Sequence, residues 1–321
     1  MKRALALQQA RAPQVSQPDW ALQMPQSFGA RQWHHLLNAL QAVSLRVLAL
    51  TSALALSGCS LGYYAQSAGG HLDLLQRARP VDTWVADPDT PAALRERLLL
   101  AQRLRTFAVD ELKLPDSASY RRFAQLDRSA VVWNVVATPE LSLTLKTWCF
   151  PVMGCVGYRG YFQRPPADAL AAELRAQGLE VSVYGVPAYS TLGWTNWLGG
   201  DPLLSTFIRW PEPELARLLF HEMAHQRVYV ADDTAFNESY ATAVERLGLR
   251  RWLAGAGAAA QQEAATLEAR RQDFRRITAQ ARRDLEALYR SRLAPDAMRE
   301  RKAQLLQQLR DEHARLKAGP W

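Results

Sequence analysis

The chain has 321 residues, a length that allows two domains, and carries 39 Lys and Arg against 31 Asp and Glu, a formal charge of +8. Half of that excess comes from Lys2, Arg3, Arg11, Arg31 and Arg46 against Asp19, all ahead of residue 59, so the remainder is only mildly basic. No interleaved basic and aromatic motif accompanies the charge, and no nucleic-acid partner is expected.

Arg46 followed by the apolar run Val47–Leu56 reads as the positive region and apolar core of a secretory signal, and the run is too short to span a membrane as a helix. Leu56-Ser57-Gly58-Cys59 resembles a bacterial lipobox, in which cleavage precedes the cysteine and its thiol and new amino group are acylated. On that reading residues 1–58 are removed and Cys59 becomes a lipid anchor, with Met24 as an alternative start for an otherwise long leader. A buried apolar helix that ends in Gly-Cys is the alternative. Ser60 resembles the residue type that permits outer-membrane sorting, so the expectation is a periplasm-facing lipoprotein of the cell envelope, anchored in the outer membrane.

From Gly69 to Leu114 the pattern is helical, with a short helix around Leu72, Leu74 and Leu75 and a longer one from Ala92 to Leu112. His71, a lone histidine near an element start, reads as surface or cap. The β-branched and aromatic run Ala130–Val136 predicts a strand, followed by strands at Ser142–Phe150 and Tyr158–Gln163 and a helix from Ala167 to Gln177 ended by Gly178. Leu179–Pro187 and Leu203–Trp210 are expected to complete the sheet.

Cys149 and Cys155 lie six apart across turn formers. In the oxidising compartment that export implies, a local disulfide is favoured over two buried thiols. The stretch Ala188–Asp201 is glycine-rich and aromatic and fits no element. It reads either as a substrate-contacting loop beside a site or as a surface loop whose tryptophans pack on the core.

The chemistry concentrates in Pro211–Glu245. Pro213 suits a first helical turn, and Leu215, Leu218, Leu219 and Met223 follow at helical spacing. His221 and His225 then stand one turn apart on one face, where two imidazoles can converge on one cation. Glu222 beside them completes an H-E-x-x-H arrangement, in which the glutamate takes a proton from a water on the metal. After a loop with Asp232 and Asp233, Thr234 is expected to cap a second helix that supplies Glu238 as third ligand, with Ala241 small enough to let the helices approach. Two histidines, one glutamate and an open position describe a catalytic rather than a structural Zn²⁺ site. A donor for the tetrahedral oxyanion is also needed, and Tyr189 and Tyr240 are the candidates.

The run Leu218–Gln226, with Phe236–Ala241, resembles the bacterial predicted aminopeptidases, a zincin-type group of HExxH metallopeptidase lipoproteins. Arg105–Ala108, Leu114–Tyr120, Val132–Val135, Tyr158–Phe162 and Asp201–Ser205 read as segments of the same group, so the resemblance covers Cys59 to Leu249. It implies a zincin-like α+β fold with a mixed sheet, and an aminopeptidase activity. The chain departs from the better-known His-His-Glu peptidases in one respect. Thr242 stands where they place an aspartate that orients a ligand histidine, and Glu245, Asp232 or Asp233 could replace it. The metzincin continuation is absent, with Val228 and Ala231 at its glycine and third-histidine positions.

Beyond Gly255 the composition shifts to Ala, Arg, Glu, Gln and Leu. Helices at about Ala258–Arg292 and Pro295–Lys317 are predicted to form an antiparallel hairpin, a solvated arm by default, that packs on the core or reaches a protein partner. The expected organisation is thus a removed leader (1–58), a zincin-like peptidase domain (59–254) and a helical extension (255–321). The expected function is zinc-dependent hydrolysis of peptide substrates, as an aminopeptidase or alternatively an envelope endopeptidase. A non-catalytic, zinc-stabilised envelope scaffold is the reading from a different class.

Overall fold

The chain alternates short strands with helices up to Leu204 and is helical thereafter. The computed structural model describes residues 61–150, 154–191, 193, 196–231, 233–319 and 321. The expected leader (1–58), the anchor Cys59 and Asp232 lie outside the described residues. Tyr63–Trp321 form one compact unit. The elements are α1 (61–77), β1 (Arg79–Pro80), α2 (Val81–Ala86), α3 (Ala92–Asp110), β2 (Arg122–Ala124), β3 (Val132–Pro139), β4 (Trp148–Phe150), β5 (Gly154–Val156), β6 (Arg159–Tyr161), α4 (Arg164–Ala176), β7 (Leu179–Val186), β8 (Leu203–Leu204), α5 (Glu212–His225), α6 (Thr234–Ala254), α7 (Ala258–Tyr289) and α8 (Pro295–Ala318). Among the described residues no helix is long and apolar enough to cross a membrane.

The strands divide into three small sheets rather than the single sheet that the hydrophobic pattern suggests. In the largest, β3 is central and antiparallel to both β6 and β7, with the β3–β7 ladder running from Val132↔Val186 to Pro139↔Leu179. The second carries β1 antiparallel and β8 parallel to β2. Leu203–Trp210 is therefore strand only at Leu203 and Leu204, and it joins β2 instead of the β3 sheet. Both leucines are fully buried, and an apolar run that turns into the core carries the same composition as a strand. The Ser142–Phe150 prediction likewise shrinks to β4, which pairs with β5 as a hairpin. There Cys149 lies opposite Cys155 and the two are joined as a disulfide.

Two cores follow from these layers. The larger packs α3, β2, β8 and α5 through Leu98, Leu104, Phe123, Leu203, Leu204, Ile208, Leu215, Leu219 and Phe220. The smaller lies between β3 and α4, through Val135, Ala137, Ala167, Ala171 and Leu174. Fully burying the larger of these, the Val, Leu, Ile and Phe side chains, contributes about 1.5–3 kcal/mol each before the entropy of ordering the chain is set against it.

The C-terminal helices pair through Leu285, Leu288 and Leu305. The hairpin is also bound to the rest of the unit by charge. Glu268 and Arg271 of α7 pair with Arg217 and Glu214 of α5, and Lys302 of α8 pairs with Glu180 of β7.

The connection from β7 to β8 is pinned by Asp201, which is almost fully buried. Its carboxylate accepts from the Ser190 hydroxyl (3.1 Å), the Thr191 amide (2.9 Å) and the Thr191 hydroxyl (2.8 Å), and its carbonyl accepts from the Tyr120 amide at 2.7 Å. Gly200 makes this approach possible. Its φ is +66°, and a Cβ there would lie 2.4 Å from the Ser119 nitrogen and 2.7 Å from the Ala118 carbonyl carbon, both unyielding backbone. Gly200→Ala is expected to destabilise the protein by about 2 kcal/mol or more, combining left-handed strain with overpacking, as read from a urea or guanidinium midpoint.

Candidate metal centre

α5 begins behind Pro211, with Pro213 in its first turn, and buries Leu215, Ala216, Leu219, Phe220, Met223 and Ala224. That burial fixes the helix rotation, so His221 and His225 are presented together from the remaining face. α6 begins one loop later. Its N-cap is Asp233, whose carboxylate accepts from the Phe236 amide at 2.9 Å, and Thr234 is the first helical residue rather than the cap. An ionised carboxylate is the stronger acceptor for an orphan helix amide, and this use occupies Asp233 away from the histidines.

Glu238, Ala241, Glu245 and Gly248 recur on α6 at spacings of three, four and three, which places them on one face toward α5. Ala241 is fully buried, and a Cβ on Gly248 would lie 2.9 Å from a ring carbon of Phe220 on α5. Two small residues on one stripe let the helices close in, and the carboxylates between them reach the histidines. Ala241 was legible from its spacing to Glu238. Gly248 was missed, although the same periodicity points to it.

The side chains of His221, His225 and Glu238 converge, their ligand-type atoms all lying within 4.8 Å of one another. His221 Nε2 is 3.2 Å from His225 Nε2 and 3.3 Å from Glu238 Oε2, and His225 Nε2 is 3.5 Å from Glu238 Oε1. Two ligand atoms each about 2.1 Å from a tetrahedral ion stand about 3.4 Å apart, which the two imidazole nitrogens match, while Glu238 turns a different oxygen toward each of them. The donor set of two neutral nitrogens and one carboxylate oxygen also suits a divalent cation. The three residues can therefore hold a metal.

The outer contacts support that fit. His221 Nδ1 lies 3.2 Å from Glu245 Oε2, which leaves Nε2 as the atom that faces the cluster. Among the described residues it is Glu245 that takes the place of the aspartate expected at Thr242. It stands one further helical turn along the same face. His225 Nδ1 is buried without a hydrogen-bond partner among the described residues.

The titration behaviour reflects this crowding. Burial alone would lower His221, but its hydrogen bonds to Glu238 and Glu245 and the nearby charge of Glu222 outweigh that and push it up to about 10. His225 is lowered by burial and then by the charge of His221. The hydrogen bond from His221 holds Glu238 below the usual carboxylate range. Glu222 is pushed up to about 7 by burial, against the charge of His221 and a hydrogen bond with Ser190.

Among the contacts seen, neither tyrosine expected as oxyanion donor touches the three converging residues. Tyr240 follows Glu238 by two positions, about 200° around the helix, and stacks on Phe236 instead. Tyr189 packs against Phe162 and His71, its hydroxyl pushed up to about 12 by burial and then by the charge of Asp201.

The groups that do surround Glu222 are Ser190, Asp201 and Tyr120. Ser190 hydrogen-bonds to Glu222, Asp201 and Tyr120. Tyr120 is buried, with a left-handed φ of +63° that is costly outside glycine, and its phenol is held well above its usual range by burial and then by the charges of Glu222 and Asp201. Tyr158 stands within electrostatic reach of Glu238. The sequence assigns none of these residues a role of its own, although Ser190 and Asp201 fall in the loop read as a possible substrate contact and Tyr120 and Tyr158 in segments that resemble the family. The contacts that join Tyr120 to Asp201 and Ser190 to Glu222 run between distant segments, which local patterns do not show.

Residues 62–321 match the model of a family described as "Putative aminopeptidase". The chain belongs to this family. No curated protein and no solved structure matched it. The aminopeptidase-family match runs past Leu249, where the resemblance seen in the sequence stops, and takes in α7 and α8.

At about pH 8 the metal-free protein carries a proton on His221, since its value of about 10 lies above the solution pH. A metal must displace it, so zinc titrated in at about pH 8 should release about one proton per ion, with apparent affinity weakening as pH falls. Calorimetry in two buffers of different ionisation enthalpy reads this directly. Uptake without proton release would contradict the arrangement.

Proposed function

We propose that this chain is a zinc-dependent peptidase of the cell envelope, an aminopeptidase in agreement with its family, with a zincin-like α+β fold. The observation that carries the proposal is the convergence of His221, His225 and Glu238 at ligand separations, with Glu222 next in sequence to one of them. His221, His225 and Glu238 would hold Zn²⁺, which when bound supplies Lewis acidity toward a carbonyl and lowers the pKa of water.

Glu222 is the general base. Its carboxyl is raised to about 7, so near neutral pH it can accept a proton and, once protonated, return it to a leaving amine. It is not one of the three residues whose ligand atoms converge, and its carboxyl is hydrogen-bonded with Ser190 instead. Glu245 keeps His221 in the tautomer whose Nε2 is free to ligate. Tyr120 keeps its proton across the working pH range and can donate a hydrogen bond beside Glu222. The lipid anchor at Cys59 would hold the unit at the membrane, on the periplasmic side, where Cys149–Cys155 would remain oxidised.

The test is hydrolysis of a library of unblocked and N-acetylated peptides by the soluble form that begins after Cys59, with zinc content measured in parallel. Cleavage of unblocked peptides alone is the expected result, and cleavage of both sets would make the protein an endopeptidase. Glu222→Gln should retain zinc yet lower kcat by about 10²–10⁴-fold. Stoichiometric zinc in the wild type with neither set cleaved would favour a zinc-stabilised scaffold.

A further inference from the structure

The C-terminal helices approach the metal centre through one chain of charges. Glu245 divides its carboxylate between two partners on successive turns of α5. Oε2 faces His221 Nδ1 at 3.2 Å, and Oε1 accepts from Arg217 Nη1 at 2.7 Å. Arg217 stands four residues before His221, hence on the same face, and its side chain is only 10% exposed. The other terminal nitrogen of Arg217, Nη2, donates to Glu268 Oε2 of α7 at 2.6 Å. Glu268 is held in turn by Arg275, at 3.2 Å on its other oxygen. A second pair between Arg271 of α7 and Glu214 of α5 locks the same two helices one turn earlier along α5.

The guanidinium is a rigid planar fork, so fixing one of its ends fixes the other. Glu245 sits between an imidazole that must point at the metal and a cation whose direction α7 sets.

We infer that α7 is a positioning element of the metal centre: Glu268, through Arg217 and Glu245, sets the orientation of the ligand His221 and thereby the affinity for the ion. The inference rests on the zinc reading proposed above and extends it to residues about fifty positions further along the chain. It gives the helical extension a role in the site, where the sequence suggests a solvated arm. Arg217 and Glu268 are positioning residues, since neither reaches the ligand atoms.

The test is the zinc dissociation constant of the full chain beginning after Cys59, measured by competition with a chromophoric chelator at fixed pH. Thermal midpoints of the metal-free forms control for folding. Glu245→Gln should weaken zinc by about 10–100-fold, and Glu268→Gln, one partner further out, by about 3–10-fold. Glu268→Asp should restore part of that loss. In the Glu245→Gln background Glu268→Gln should cost nothing more, because the relay is already cut. Glu312→Gln, which breaks the α7–α8 pair with Arg276, should leave affinity unchanged.

Zinc affinity unmoved by Glu268→Gln, additive losses in the double variant, or an equal loss from Glu312→Gln would each overturn the relay while leaving the zinc site standing. A wild-type chain that binds no zinc would overturn the zinc reading itself, and the relay with it.

Discussion

Two imidazoles and a carboxylate cannot be brought within about 3.5 Å of one another at no cost, since each must give up water and tolerate the others' lone pairs or charge. The structure meets that constraint with two helices packed against each other through small residues. Ala241 and Gly248 remove the side chains that would hold α5 and α6 apart, and the face they share carries Glu238 and Glu245. The apolar face of α5, buried from Leu215 to Ala224, decides which way His221 and His225 point. Without a cation the neighbouring carboxylates push His221 up to about 10 and so favour a proton there, which the proposed metal would replace.

Around this pair of helices the remaining elements act as supports. The segment that ends in Tyr120 and the connection from β7 to β8 meet at Asp201, and from there Ser190 reaches the carboxyl of Glu222. A left-handed Tyr120 and a left-handed Gly200 stand at the same junction, on opposite sides of the Tyr120–Asp201 backbone hydrogen bond. Strain of this kind persists only where the surroundings over-determine it, and here the surroundings are those of the proposed general base. On the far side, α7 holds Arg217, so the proposed ligands are buttressed from the C-terminal helices as well as from the core.

What was legible in the sequence follows from distance along the chain. His221 and His225 are one helical turn apart, so periodicity pairs them, and the H-E-x-x-H pattern brings in Glu222 and points to an acid on the next helix, Glu238. The same periodicity would have selected Glu245 over Asp233 and set Tyr240 aside, because seven residues return to a face and two leave it. The cap was misplaced by one residue because Thr234 and Asp233 are both good caps and only geometry separates them. The loop that holds Ser190 and Asp201 was legible as a possible substrate contact, but their meeting with Tyr120 was not, since it joins distant segments through a backbone angle that tyrosine rarely adopts. Leu203–Trp210 misled because full burial in a turn and full burial in a strand select the same apolar residues. The relay to Glu268 was invisible for a similar reason: a charged helix reads as solvated until its partner is known.

The central claim is that His221, His225 and Glu238 share one zinc ion. Zinc-edge anomalous diffraction from crystals of the zinc-loaded protein tests it most directly. The account predicts one strong peak enclosed by His221 Nε2, His225 Nε2 and the Glu238 carboxylate, with nitrogen and oxygen ligands at about 2.0–2.2 Å. Anomalous density elsewhere in the protein with none among these three residues would contradict it.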